Sequence, residues 1–255
     1  MLFRSGFDGA PVTYSGSIHG MLPKKKLGMG AFIQKDKIGK TNQTDLFASA
    51  AYHLPLGDVS KLSIGMQVGA TSFSSNVVEL TYWDPGDRIF DYNTFTSLLP
   101  NAGFGAYFYR PMFYAGFSVP YLVNYKPSAD SQEESKQIHH LGRRVYLTVG
   151  GVIETERDVK IKPSLLIKKE GNSEIQYDLN VNVLLNEIFW VGASYRSKEA
   201  VVALFEYQIN RKFRVGYSYD ITLGGISNYN SGSHELMLGY DFGYPVLKIK
   251  SPRYF

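Results

Sequence analysis

Lys61-Leu62-Ser63-Ile64-Gly65-Met66-Gln67-Val68-Gly69-Ala70-Thr71 is the stretch on which the fold turns. Leu62, Ile64, Met66, Val68 and Ala70 fall on one side of an extended chain, and Lys61, Ser63, Gly65, Gln67, Gly69 and Thr71 on the other. Successive side chains of a strand point to opposite faces, so this spacing predicts a strand with one apolar and one polar face. Working outward, the pattern recurs. Glu174–Leu185 sets Ile175, Tyr177, Leu179, Val181, Val183 and Leu185 against Gln176, Asp178, Asn180 and Asn182. Phe213–Ile221 sets Phe213, Val215, Tyr217, Tyr219 and Ile221 against Arg214, Gly216, Ser218 and Asp220.

From Val12 to Phe242 the chain divides into about thirteen segments of this kind. They are Val12–Leu22, Leu27–Lys35, Thr44–Leu54, Lys61–Ser72, Asn101–Tyr109, Met112–Tyr121, His139–Glu154, Val159–Lys168, Glu174–Leu185, Ile188–Arg196, Glu199–Gln208, Phe213–Ile221 and Ser233–Phe242. Most run about nine to twelve residues, the length of a tilted membrane strand, whereas soluble strands average about five or six. The links alternate. Compact ones rich in Pro, Asp or Asn (Pro23–Lys26, Pro55–Asp58, Arg110-Pro111, Thr155–Asp158, Asn186-Glu187) take turns with longer ones (Asp36–Gln43, Phe73–Pro100, Leu122–Ile138, Thr222–Gly232). Lys169–Ser173 and Ser197-Lys198 are short where the alternation asks for length. Outer-membrane barrels have compact periplasmic turns and larger outer loops. The expected fold is therefore all-β: one antiparallel, up-and-down transmembrane β-barrel domain over residues 1–255, apolar rows toward lipid. A soluble β-sandwich or lipocalin-like barrel would show the same alternation with its apolar rows inward.

Composition agrees with the membrane reading. Aromatic residues make up 15% of the chain, with 19 Tyr and 16 Phe, as suits a barrel with aromatic girdles at two membrane interfaces. No apolar run is long enough for a transmembrane helix. The formal net charge is only +4 and the basic residues are scattered, so nucleic acid is not an expected partner. With no Cys there are no disulfides and no thiolate-held metal.

Catalytic and ligand motifs do not emerge. His139 and His140 are adjacent on a predicted strand and point to opposite faces, so they cannot chelate one metal together. Asp84, Asp87 and Asp91 share the longest loop without the spacing of a calcium-binding loop. No Gly-x-Ser-x-Gly elbow is present. Gly28-Met29-Gly30 and Gly103-Phe104-Gly105 lie within predicted strands, where they reduce bulk instead of cradling phosphate. No enzyme activity and no cofactor or metal are expected. The same long loop is aromatic, however, and Tyr82, Trp83, Asp84, Asp87, Phe90, Tyr92 and Phe95 are its candidate partner-binding residues. Arg196, Glu206, Arg214, Asp220 and Asp241 fall on polar rows and are expected to line the barrel lumen.

Several blocks resemble one family in order and spacing along nearly the whole chain. They are Gly6-Phe7-Asp8-Gly9-Ala10-Pro11, Lys26-Leu27-Gly28-Met29-Gly30, Asp36-Lys37-Ile38-Gly39, Asn101–Tyr109 leading into Phe113–Pro120, and Ser233–Phe242 followed by Ser251-Pro252-Arg253-Tyr254-Phe255. Together they resemble the PorP/SprF family of type IX secretion and gliding proteins of Bacteroidota. The resemblance implies a non-enzymatic outer-membrane component of a Gram-negative cell. It implies partners too: a large secreted adhesin carrying a type B C-terminal sorting domain, and the periplasmic ring and motor proteins of the machinery. It further implies a signal peptide and a complete strand ahead of the Gly6–Pro11 turn. Met1–Phe7 then reads as the tail of a first strand, which raises the expected count from thirteen to fourteen, and Gly243–Phe255 as a periplasmic tail ending in Ser251, Pro252, Arg253, Tyr254 and Phe255. On the residues alone, a solute channel or transporter of hydrophobic compounds is the competing function.

Overall fold

A computed structural model describes residues 2–4, 10–23, 25–75, 95–123, 142–155, 159–223 and 232–242, with the backbone alone at 2–4, 75 and 95–97. Every regular element among them is a strand. In chain order these are β1 (Leu2–Arg4), β2 (Val12–Met21), β3 (Leu27–Ile38), β4 (Thr41–Leu56), β5 (Ser60–Ser75), β6 (Phe95–Arg110), β7 (Phe113–Val119), β8 (Arg144–Gly151), β9 (Ile153–Glu154), β10 (Val159–Glu170), β11 (Gln176–Leu185), β12 (Phe189–Arg196), β13 (Ala200–Gln208), β14 (Phe213–Thr222) and β15 (Ser233–Tyr240). β9 continues β8 in the same register against β10. The interruption at Gly151-Val152 falls opposite Lys162-Pro163, and proline has no N–H to give the ladder. Counted that way, the chain is an antiparallel up-and-down sheet of fourteen strands.

Neighbours in sequence are neighbours in the sheet, as short connections dictate. β10 pairs with β8 on one side and β11 on the other. β1 lies between β15 and β2, with Leu2 opposite both Glu235 and Thr13, and Phe3 opposite His234 and Val12. That junction is only three residues long, and among the described residues no further ladder joins β2 to β15.

The faces are inverted relative to a soluble protein. Met66, Val68 and Leu98 are 63%, 60% and 69% exposed, whereas Asp45 and Thr71 on the opposite face are 2% and 0% exposed. Buried hydrophobic packing is slight by comparison; Phe73 and Leu99 form one small cluster with Tyr121 packed against it. Burying polar groups and leaving apolar rows bare is costly in water but suits a sheet whose outer solvent is hydrocarbon. Aromatic rings mark both margins of the apolar face. Phe189 stacks on Phe205 and Tyr207 near one margin, and Tyr177 meets Tyr195 near the other. A ring at each margin can bury its body in hydrocarbon and keep its polar edge wet.

Tight turns follow from local chemistry. Gly39, at φ +58°, helps close the β3–β4 hairpin, and Asn186 and Glu187 (φ 53° and 56°) close β11–β12, where Ile188 N–H donates to Leu185 O at 3.0 Å. Three sequence expectations need correction here. The link expected over Asp36–Gln43 is mostly strand, because β3 runs to Ile38 and β4 starts at Thr41. The irregular stretch expected over Phe73–Pro100 is strand at both ends, since β5 reaches Ser75 and β6 starts at Phe95. Cross-strand pairing carries these polar or Pro-containing ends beyond the amphipathic run: Ala70 sits opposite Pro100 and Phe73 opposite Ser97. The strand expected from His139 starts at Arg144, and His139 and His140 lie outside the described residues.

Candidate functional site

Strand register sorts the polar face into two unlike halves. Along β10 to β15 it is charged. Lys162, Asn182 and Gly192 share one row; Trp190, Glu206 and Gly216 share the next; Asp178 sits opposite Arg196, and Val202 opposite Asp220. Arg196 joins three carboxylates: Nη1 to Asp220 at 3.3 Å, Nε to Asp178 at 3.5 Å, and Nε to Glu199 at 3.8 Å. Closer to the opposite margin, Arg214 Nε lies 3.9 Å from Glu206, and Lys162 Nζ sits 5.9 Å from the ring centres of both Tyr114 and Trp190. Glu206 and Lys162 are buried. Opposite charges so enclosed hold one another in place, because losing either would strand its partner in a poorly solvated site.

Along β2 to β8 the same face carries small and uncharged groups at mid-height. Gly65 sits opposite Gly105 and Gln67 opposite Gly103, and Gly116 lies between Tyr107 and Thr148. A Cβ on Gly116 would fall 2.8 Å from the Tyr107 ring, and one on Gly150 would meet the Tyr114 ring even sooner, so these glycines seat tyrosine rings flat against the sheet. His53 Nδ1 and Ser63 Oγ are 2.6 Å apart, with the Tyr109 hydroxyl 3.5 Å from the same nitrogen. Nearer the margin of the long links the face becomes acidic and amide-rich. Thr71 donates a short hydrogen bond to Asp45, which also accepts from Gln43 at 2.9 Å; Asp36 accepts from Thr13 at 2.6 Å and Gln34 at 2.7 Å. At that margin Glu174 and Lys198, on neighbouring turns, pair at 2.5 Å, and the ammonium holds the carboxyl below its usual range.

Of the five polar residues read from sequence, Arg196, Glu206, Arg214 and Asp220 share the polar face and fall into two ion networks, Arg196 with Asp220 and Arg214 with Glu206. Asp241 lies just past β15, is exposed, and donates its N–H to Lys212 O at 2.8 Å. Among the loop candidates, Phe95 opens β6 and is described by its backbone alone; Tyr82, Trp83, Asp84, Asp87, Phe90 and Tyr92 lie outside the described residues, as do Ser251, Pro252, Arg253, Tyr254 and Phe255. Sequence reading passed over Lys162, Trp190, Tyr114, Asp45 and Thr71. Parity alone puts each on the polar face, but only cross-strand register shows that they meet.

No curated protein matches this chain. The family model of the type IX secretion system membrane protein PorP/SprF matches residues 4–240, from the last residue of β1 to the last of β15. A continuous match over every full strand of an inside-out sheet leaves one assignment: the chain belongs to the PorP/SprF family of type IX secretion system membrane proteins.

Proposed function

We propose that this protein is a non-enzymatic barrel in the outer membrane of a Bacteroidota cell, anchoring or helping to export a surface adhesin that carries a type B C-terminal sorting domain. The family match over residues 4–240 carries the reading. The inverted faces support it: a sheet with bare apolar rows and enclosed ion networks belongs in lipid. In this reading the sheet closes as a barrel, β1 being part of the strand that lies between β15 and β2, and Arg196, Glu206, Arg214 and Asp220 line its lumen. The links 76–94, 124–141 and 224–231 all join strands at one margin of the sheet, and this reading makes that margin the outer one. Tyr82, Trp83, Phe90 and Tyr92 give the first of them the aromatic content of a docking surface. The margin of the compact turns, where β15 ends, is then the periplasmic one, and ring and motor proteins would meet the protein there.

Deleting residues 78–92 and measuring adhesin on intact cells tests the proposal. The expected result is loss of surface adhesin while the variant still reaches the outer membrane and shows the heat-modifiable gel mobility of a folded barrel. Full retention of adhesin by a folded deletion variant overturns the docking role.

A further inference from the structure

Parity sorts the charges at the end of β3. Gln34 and Asp36 fall on the enclosed face, where Asp36 accepts from Thr13 and Gln34, whereas Lys35 and Lys37 fall on the apolar face. Both lysines are exposed, and neither forms an ion pair or hydrogen bond among the described residues. Charge is rare on this face. Among the described outward strand positions none is Asp or Glu, and beyond these two lysines only Arg110 and Lys169 are charged. Register sets the pair in a small polar field. Lys35 stands between Tyr14 of β2 and Thr44 of β4, with Ser72 of β5 next in the row; Lys37 stands between Val12 and Asn42, with Ser74 next. The adjoining row toward mid-sheet is Ile33, Leu46 and Ala70. From Leu46 to Leu54 the outward rows stay apolar or aromatic for about 27 Å along β4, or about 21 Å in height at the ~40° tilt of such barrels. That is close to a hydrocarbon band, so the lysine stems leave its edge and their ammonium groups stand at headgroup level.

We propose that Lys35 and Lys37, with Asn42 and Thr44 beside them, bind the phosphate monoester of a phosphorylated glycolipid in the outer leaflet. Charge complementarity selects this ligand. Two residues along a strand place the lysines about 7 Å apart, and flexible stems let both ammonium groups reach one phosphate at N···O distances of about 2.8 Å. A phosphate monoester carries about −1.5 to −2 charge at neutral pH, which matches two ammonium groups. A zwitterionic headgroup brings a cation of its own to a patch that holds no carboxylate, and a phosphodiester brings a single negative charge. The Asn42 amide and Thr44 hydroxyl add donors for the remaining phosphate or sugar oxygens. That the leaflet is the outer one rests on the orientation proposed above, since β3 and β4 meet at the margin of the long links. The patch is separate from the loop surface assigned to the adhesin, so either can fail without the other.

The test is native mass spectrometry of the full chain folded in tetraethylene glycol monooctyl ether micelles. The protein is titrated with bisphosphorylated lipid A, with the same lipid stripped of both phosphates, and with phosphatidylglycerol. Saturable binding of bisphosphorylated lipid A is expected, at least tenfold tighter than either other lipid. The double variant Lys35→Gln, Lys37→Gln should weaken it at least tenfold. The double variant Lys25→Gln, Lys26→Gln, which removes the same charge at the compact-turn margin, should leave it unchanged. Should the first double variant fail to fold, Lys37→Gln alone should still cost several-fold. The readout involves no adhesin, so it stands apart from the docking role. Absence of lipid A binding, equal affinity for the stripped lipid, or insensitivity to whichever β3 variant folds overturns the proposal. So does an equal loss in the compact-turn variant. Phosphatidylglycerol bound as tightly as lipid A overturns it too, because the site would then select neither the monoester nor the leaflet.

Discussion

Gly69 and Gly20 sit in strands of the same sheet, yet alanine at the two positions should have opposite effects. At Gly69 the added Cβ would lie 2.0 Å from Leu46 O and 2.7 Å from both Phe47 Cα and the Phe47 ring. Two of these atoms are β4 backbone, so no rotamer change relieves the contact. The shortfall from ordinary contact at Leu46 O is about 1.4 Å, large beside the roughly 4.8 Å spacing of paired strands. Opening β4 from β5 by that much loses about two ladder hydrogen bonds at ~1 kcal/mol each. It also displaces the buried Phe47 ring, which packs edge-on against Tyr121 at 5.7 Å, with an overpacking cost of about 1–3 kcal/mol. G69A should therefore destabilise by about 3–5 kcal/mol. At Gly20 nothing lies within 4 Å of the added Cβ, and G20A should stabilise by about 0.4–1 kcal/mol through the unfolded chain. With a urea dependence of about 2 kcal/mol per M, the midpoints of the two variants should differ by roughly 2 M. Urea titration of the protein in detergent micelles, followed by Trp fluorescence, reads the difference. Equal midpoints would refute the claim that β4 and β5 are held at a glycine-dependent distance at this point.

Two further outcomes test the ion network and the β1 junction. Glu206→Ala removes the buried carboxylate that Arg214 approaches to 3.9 Å and should destabilise by about 3 kcal/mol, while adding Arg214→Ala should cost less than the sum of the single changes. Strict additivity in the same urea titration would mean that the 3.9 Å contact carries no coupling. Because the chain has no Cys, engineered pairs report cleanly on strand order. Phe3 is opposite both Val12 and His234, so V12C and H234C stand two strand spacings apart, about 9.6 Å, beyond disulfide reach, whereas F3C and V12C are cross-strand neighbours. Copper-phenanthroline oxidation should link the second pair and leave the first to a longer bismaleimide. An efficient V12C–H234C disulfide would place β2 directly against β15.

Strand order and number were legible in the chain because period-two alternation is a local property. Lys61–Thr71 lies inside β5 with the expected parity, and Glu174–Leu185 differs from β11 by two residues at its start. Strand ends were less legible. Phe73–Ser75 and Phe95–Pro100 lack a convincing alternation and extend only because each pairs with the other, a contact across a long link that no local window contains. The polar residues followed the same division. Arg196 and Asp220 could be assigned to a face by parity, but their 3.3 Å contact depends on β12, β13 and β14 being stepped so that Val202 stands opposite Asp220.

The sequence by itself determined a chain of long amphipathic antiparallel strands with compact links at one margin and the longest links at the other, where Lys169–Ser173 and Ser197-Lys198 stay short. It could not determine which face is covered, because alternation is unchanged when inside and outside are exchanged. Tertiary structure decided that: Met66 and Val68 are bare while Asp45, Thr71 and Glu206 are enclosed. It also decided that charge gathers along β10 to β15 and that β2 to β8 keep an uncharged cavity, since both depend on rows of residues drawn from strands far apart in the chain. Register between strands is set by hydrogen-bonded pairing along whole ladders, and no single segment of sequence carries it.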